Sequence, residues 1–263
     1  MNAKEYITKL LSLESYSFSL EEISLATNTT PGSLKSELVR LIDKQEIISL
    51  RKGFYLIIPP RYSKTGHLPI QLYIDKLFKS LNRNYYLGFY TAANFHGAAH
   101  QQPQKDYVMI ANPMLKDIAK KTYNIQFICA SNWPEGNVEL KKSDAGYFAV
   151  SSPALTAADL IHHHNKLGGI NRILPVIEEL TEAITLADLE QLLKWYPNTS
   201  TLQRMGLLIE ELVGAPILTD AIKQHIDKRN YYPVLMSPMK NRKPGAVNNT
   251  WKVDVNVELE SDL

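Results

Sequence analysis

One cysteine in 263 residues, Cys129, has no second thiol to pair with. That excludes an intrachain disulfide framework and a four-thiolate zinc site. Set in the apolar run Ile125-Gln126-Phe127-Ile128, the thiol reads as a small buried hydrophobe rather than a nucleophile. Long apolar stretches are equally scarce. None approaches the ~20 residues of a transmembrane helix, and the start Met1-Asn2-Ala3-Lys4-Glu5-Tyr6 is amphipathic rather than a basic cap on an apolar segment. The expectation is a reduced, cytoplasmic protein with no membrane partner. Net charge is also small, +2 from 29 basic and 27 acidic residues, so no molecule-wide basic field advertises nucleic acid. Any such role must rest on where charge is placed. Internal repeats and low-complexity tracts are absent too.

What is present begins with short helical signals. Tyr6, Ile7, Leu10, Leu11 and Leu13 recur at helical spacing. Ser19 followed by Glu22 is a capping box. Thr30-Pro31 restarts a helix with a good cap and proline at its first position, and Leu34, Leu38, Leu41 and Ile42 give it one apolar stripe. Ile47 to Leu50, the turn Arg51-Lys52-Gly53, and Phe54 to Ile57 then read as strand, tight turn and strand, closed by Pro59-Pro60. Helix, helix, turn, helix, strand, turn, strand is the order of a winged helix.

Arg61 to Gly66 has the look of a linker, and Ile70, Ile74, Leu77, Phe78 and Leu81 mark an amphipathic helix. A short helix over Thr91 to His96 ends at Gly97, and β-prone runs follow at Tyr107–Ile110, Ile125–Cys129 and Tyr147–Val150. A helical block comes next. Ser152-Pro153 opens one helix, stopped by Gly168-Gly169. A second spans Ile170 to Leu180, starting late or kinked at Pro175. A third follows Leu186 to Leu193, and a fourth Leu202 to Leu212. Val253, Val255 and Val257 alternate as one face of a last strand over Trp251–Val257. The fold class expected is α/β (α+β): a winged helix at 1–60, a linker at 61–67, and a larger mixed α/β domain with a helical block at 68–263.

The third helix would enter a major groove. With its apolar stripe buried, the opposite face carries Ser33, Ser36 and Arg40, with Glu37 and Lys44 beside them and Lys35 on the flank. Arg40 is the candidate for a bidentate contact to guanine, and Ser33 and Ser36 suit phosphates or base edges. Thr29 and Thr30 stand where a helix start offers hydroxyls and N–H groups to a phosphate. Arg51 and Lys52 occupy the wing tip. The seven bases of residues 1–60 are matched by seven acids, a balance that also suits a module for protein contacts. The acids gather mainly in the first two helices, however, and the wing tip carries bases only. Lys240, Arg242 and Lys243 form a further basic loop, a second phosphate contact or a landing site for an acidic partner.

Signals of enzymic chemistry fade on inspection. His96 and His100 are four apart, but Gly97 ends the helix between them and the glutamate of the zinc-protease pattern is missing. The rings of His162-His163-His164 point in three directions around a helix, which favours a solvated face over a metal site. Glu139 and Lys141 after Asp106 or Asp117 resemble a metal-dependent nuclease pattern, short enough to arise by chance. Gly168-Gly169 lacks the spacing and lysine of a phosphate loop, and no serine sits in a nucleophile elbow. No cofactor, metal or catalytic residue is assigned.

Five stretches together resemble the AbiEi-type antitoxins of type IV (abortive-infection) toxin–antitoxin systems. They are Leu38–Leu41 with Ile47–Tyr55; Tyr86–Ala93 with Phe95-His96-Gly97; Val150–Leu160 with Gly168-Gly169; Leu202–Glu210; and Trp251–Asn256. None is specific alone, whereas their order and spacing are. The resemblance implies a winged helix that binds double-stranded operator DNA and represses its own operon. It also implies a C-terminal domain that antagonises a nucleotidyltransferase-like toxin without requiring a stable complex, and it supplies no catalytic residues.

Overall fold

The computed structural model describes residues 1–98 and 104–260. They form two compact units, the first made of residues 1–86, 104–131 and 140–149.

The first unit opens with α1 (Ala3–Ser12), β1 (Ser17–Ser19), α2 (Leu20–Ala26), α3 (Pro31–Asp43), β2 (Ile47–Arg51) and β3 (Phe54–Ile57). Side chains start each helix: Asn2 and Glu5 form a capping box on α1, Ser19 and Glu22 on α2, and Thr30 caps α3 with Pro31 at its first position. The strands order as β1-β3-β2, both pairs antiparallel, and Gly53 turns the hairpin at φ +77°. Leu34, Leu38 and Leu41 of α3 meet Phe18, Ile23, Ile47 and Ile57 in one core, and Phe18 stacks on Tyr55 at 5.3 Å. The winged-helix order is therefore formed.

The segment expected as a linker is structured. It contains a 3-10 turn at Pro60–Tyr62, from which Arg61 donates to the Tyr16 hydroxyl at 3.0 Å and pairs with Asp144 at 3.1 Å. A second 3-10 turn at Ile70–Leu72 precedes α4 (Ile74–Ser80), because Tyr73, fully buried against Tyr123, takes a non-helical φ of −142°. Lys76 of α4 reaches Glu22 at 3.2 Å and Ser15 at 3.3 Å. The winged helix shares its compact unit with much of the sheet that follows.

That sheet has the strands β4 (Tyr85–Leu87), β5 (Asp106–Ile110), β6 (Ile118–Lys120), β7 (Tyr123–Cys129), β8 (Val138–Ser143) and β9 (Gly146–Ser151), ordered β6-β7-β5-β4-β9-β8. β5 and β7 run parallel, as do β4 and β9, while β6 and β7 form an antiparallel hairpin. Cys129, expected to be buried, is only partly so: β7 ends there, and its thiol donates to Asn112 Oδ1 at 2.9 Å.

Among the described residues the second unit comprises 87–98, 132–139 and 150–260. Its helices are α5 (Phe89–Phe95), α6 (Pro153–His163), α7 (Ile170–Ala183), α8 (Leu186–Trp195), α9 (Thr199–Leu212) and α10 (Pro216–Ile226). Ser152 caps α6 and Thr185 caps α8. Gly97, at φ +78°, and Gly168 and Gly169, near +100°, mark the stops expected of them. α7 does not start late: it begins at Ile170 and continues through Pro175 to Ala183. The tail departs more. Only Val253–Asp254 (β11) is a strand, parallel to Val234–Leu235 (β10). Lys252 takes φ +52° just ahead of the strand, and beyond Asp254 the alternation is lost, with Val255 facing solvent. No helix among the described residues is long and apolar enough to cross a membrane.

Candidate nucleic-acid interface

The outward face of α3 follows from its buried stripe. Leu34, Leu38 and Leu41 point inward, so Ser33, Ser36, Arg40 and Lys44 are exposed, with Lys35 exposed on one flank. Two hydroxyls are partly committed. Ser36 donates to the Gly32 carbonyl at 3.1 Å, which leaves its oxygen as an acceptor, and Thr30 accepts from the Ser33 N–H at 3.4 Å. Thr29 is half-buried, whereas Thr30 is exposed. Gly32 has nothing within 4 Å of where a Cβ would stand, so the first turn of α3 is open to close approach.

Glu37, expected beside Arg40, instead directs its carboxylate to the Ala3 N–H, from which it accepts at 3.1 Å. Glu5 and Glu22 close capping boxes, so three of the seven acids of residues 1–60 serve helix N-termini. Lys35, Arg40, Lys44, Arg51 and Lys52 form no ion pair among the described residues. The local balance that looks neutral in the sequence is thus uneven at the surface. Asp43 stays exposed at the end of α3, three residues from Arg40. Val39, 48 % exposed beside Arg40, is a residue that the sequence reading passes over; an apolar side chain at that position can meet a thymine methyl. Its one sequence signal is a valine off the apolar stripe.

On the wing the two bases differ. Lys52 at the tip is exposed, while Arg51 is half-buried and one of its guanidinium nitrogens is buried with no partner. Arg51 lines a groove with Ser19, Glu21, Phe54, Leu77 and Leu81. Lys52 is therefore the freer of the two to follow a phosphate backbone.

In the second unit Lys240, Arg242 and Lys243 lie exposed in an irregular segment. They belong to a stretch from Lys228 to Lys252 with no acidic residue. Lys252 itself is engaged, its ammonium lying 4.2 Å from the centre of the Tyr231 ring.

The histidines are not the solvated face expected. His162 is exposed and bonded to Thr201 at 3.1 Å, but His163 is half-buried with its ring edge-on to Phe89 at 5.5 Å. His164 is buried, with Nδ1 2.7 Å from the Ile161 carbonyl. The cause is the helix end, where a 3-10 turn at His164–Lys166 rolls the last two rings toward the core. Burial and the neighbouring cations lower all three pKa values, His163 to about 4. His96 holds the end of α5 to β9 through the Ser151 carbonyl at 2.7 Å, and His100 lies outside the described residues.

The nuclease-like pattern does not assemble. β8, with Lys141, stands three places along the sheet from β5, with Asp106, roughly 14 Å at ~4.8 Å per strand. The Asp117 carboxylate is occupied by the Phe127 N–H at 2.9 Å. Among the described residues no group of three metal-ligating side chains occurs.

Two of the sequence stretches explain one another. Trp251, fully buried, lies over Gly206 of α9, where a Cβ would meet its ring at 2.1 Å. Gln203 donates to the Trp251 carbonyl at 2.9 Å, Arg204 to the Leu235 carbonyl at 2.9 Å, and the Trp251 indole N–H to Glu210. These residues hold the tail on α9 and are not a binding surface.

Residues 86–211 match the family model described as the AbiEi antitoxin C-terminal domain. No curated protein matches the sequence. Among solved structures, the crystal structure of the RV2827C protein from Mycobacterium tuberculosis is similar with a TM-score of 0.64 at 16% identity, over 95% of this chain and 90% of that one. At that identity the likeness shows a shared fold.

Proposed function

We propose that this chain, an AbiEi-type antitoxin by its residues 86–211, is also the cytoplasmic repressor of its own toxin–antitoxin operon and binds operator DNA through its winged helix. The observation that carries this reading is the surface of α3. Glu37 is withdrawn into the cap of α1, leaving Asp43 as the exposed acid of α3, while Arg40, Ser33, Ser36 and Val39 stay outward and the wing tip bears Lys52. On this reading Arg40 reads a base, Lys35, Lys44 and Lys52 neutralise phosphates, and Thr29, Thr30 and the first turn of α3 receive one. The loop of Lys240, Arg242 and Lys243 is a second place for a phosphate or an acidic partner. The toxin antagonised is a nucleotidyltransferase-like enzyme, with no stable complex required, and the chain itself supplies no catalytic step.

The test is a gel-shift titration against DNA from upstream of the chain's own gene, with scrambled DNA as control, at several salt concentrations. Selective binding that weakens steeply with salt is expected. No binding to either DNA at moderate salt would leave the winged helix as a protein-contact module.

A further inference from the structure

The free edge of the wing is not bare. β2 is the outer strand of the β1-β3-β2 sheet, and its Ser49 carbonyl accepts from the Lys120 ammonium. Lys120 ends β6, and Lys121-Thr122 make the two-residue turn into β7, with Lys120 paired to Tyr123 and Lys121 at φ +52°. Two further bonds fix this hairpin tip within the first unit. Thr122 donates to the Gly66 carbonyl at 3.0 Å, and the Leu68 N–H donates to the Tyr123 hydroxyl at 2.8 Å.

The consequence concerns charge. Ser49 precedes Arg51 by two residues, at most about 7 Å along the strand, which is irregular between them. Lys120 and Lys121 are both exposed, and neither forms an ion pair among the described residues. Asp117, the one acid of that turn region, is exposed and accepts from the Phe127 N–H through one oxygen, so the lysine pair outnumbers it. A lysine pair some 70 residues downstream in sequence therefore lies beside the wing, on a tip held by hydrogen bonds.

We propose that the β6–β7 hairpin tip is a second wing, whose Lys120 and Lys121 bind the phosphate backbone beside the contact made by Lys52. The inference rests on the operator-binding reading above and extends its footprint. Such a contact is sequence-independent: it adds affinity and salt dependence without changing which bases are read.

The test uses the full chain carrying Lys120→Gln and Lys121→Asn together. Glutamine keeps an N–H for the Ser49 carbonyl, and asparagine tolerates the left-handed backbone at 121, so both charges go and the turn stays. Log–log salt titrations on the upstream DNA should show a slope shallower by about 1.8, from ~0.9 per phosphate contact. Base preference should be unchanged, and the hydroxyl-radical footprint should shorten on one flank. A parallel Lys120→Arg, Lys121→Arg variant should restore the slope. If the wild type binds and the charge-free variant keeps its slope and footprint, the second wing is overturned while the repressor reading stands. If the wild type binds no DNA, both fall together. A matching melting temperature for variant and wild type confirms that the slope reports charge and not folding.

Discussion

Arg40 and Lys52 separate two kinds of contact at single positions. A base-reading arginine makes a bidentate bond that the wrong base cannot satisfy, so Arg40→Ala should cost ~1–3 kcal/mol and relax preference at one operator position. Lys52→Ala should weaken binding to operator and scrambled DNA alike, and flatten the salt slope by about 1. Competition titrations with both DNAs at two salt concentrations measure the difference. An Arg40→Ala protein with unchanged affinity and footprint would remove that residue from the reading set. At the other end of the chain, Gly206 and Trp251 act through packing. A methyl at 206 would stand 2.1 Å from a ring whose indole N–H is held by Glu210 and whose backbone carbonyl is held by Gln203, so Gly206→Ala should destabilise by ~1–3 kcal/mol, the usual cost of overpacking. Trp251→Ala should cost ~3–5 kcal/mol by leaving a cavity. Urea denaturation followed by tryptophan fluorescence or circular dichroism reads both, and a neutral Gly206→Ala would show that the tail can lift off α9.

The elements legible in the sequence are those with strong caps and a complete stripe. α2, α3, α6 and α8 start where Ser19, Thr30, Ser152 and Thr185 accept from their own first turns, and β2 and β3 flank a glycine turn. β6 and β8 are not legible, being three and six residues long, with lysines where alternation would show a strand. α10 escapes notice because its buried Leu218, Ile222 and Ile226 follow a Val-Gly break. The end of α6 misleads because three consecutive histidines look solvated until the chain tightens into a 3-10 turn. That turn carries a pH consequence. His163 has its pKa lowered to about 4 by burial, then by His162 and Lys166, and His162 and His164 are lowered too. Unfolded, these rings titrate near ~6.5. Between pH 6.5 and 4 the unfolded chain binds more protons, so stability is full above 6.5 and falls as pH drops. Asp106, raised to about 6 by burial, has the opposite sign: its contribution is present at low pH and lost as pH rises through 6. The histidines outnumber it, so the chain should unfold at lower urea at pH 4.5 than at pH 7. His163→Gln should reduce that difference, and an identical pH profile in the variant would show that its ring is not the sensor.

For the whole molecule, the candidate interface is only half visible in the sequence because net charge is a poor summary of a surface. Counting seven bases against seven acids in residues 1–60 hides that Glu5, Glu22 and Glu37 are drawn into helix caps. The winged helix itself is readable from order alone, but its dependence on later sequence is not. Glu22 is met by Lys76, Tyr16 by Arg61, and Ser49 by Lys120, and α4 packs against β1. Each exposed pair is weak, ~0–1 kcal/mol. The larger loss on cutting at residue 60 is the apolar surface that α4 covers, at about 25 cal/mol per Å². A fragment of residues 1–60 should therefore melt at a lower temperature than the same helices do in the full chain, and should bind operator DNA more weakly at equal salt. Hydrogen exchange on both proteins measures this directly. Protection of α3 amides equal in fragment and full chain would mean that the winged helix folds by itself and that residue 60 is a true boundary; lower protection in the fragment would mean that the DNA-reading helix is held in place by the sheet beside it.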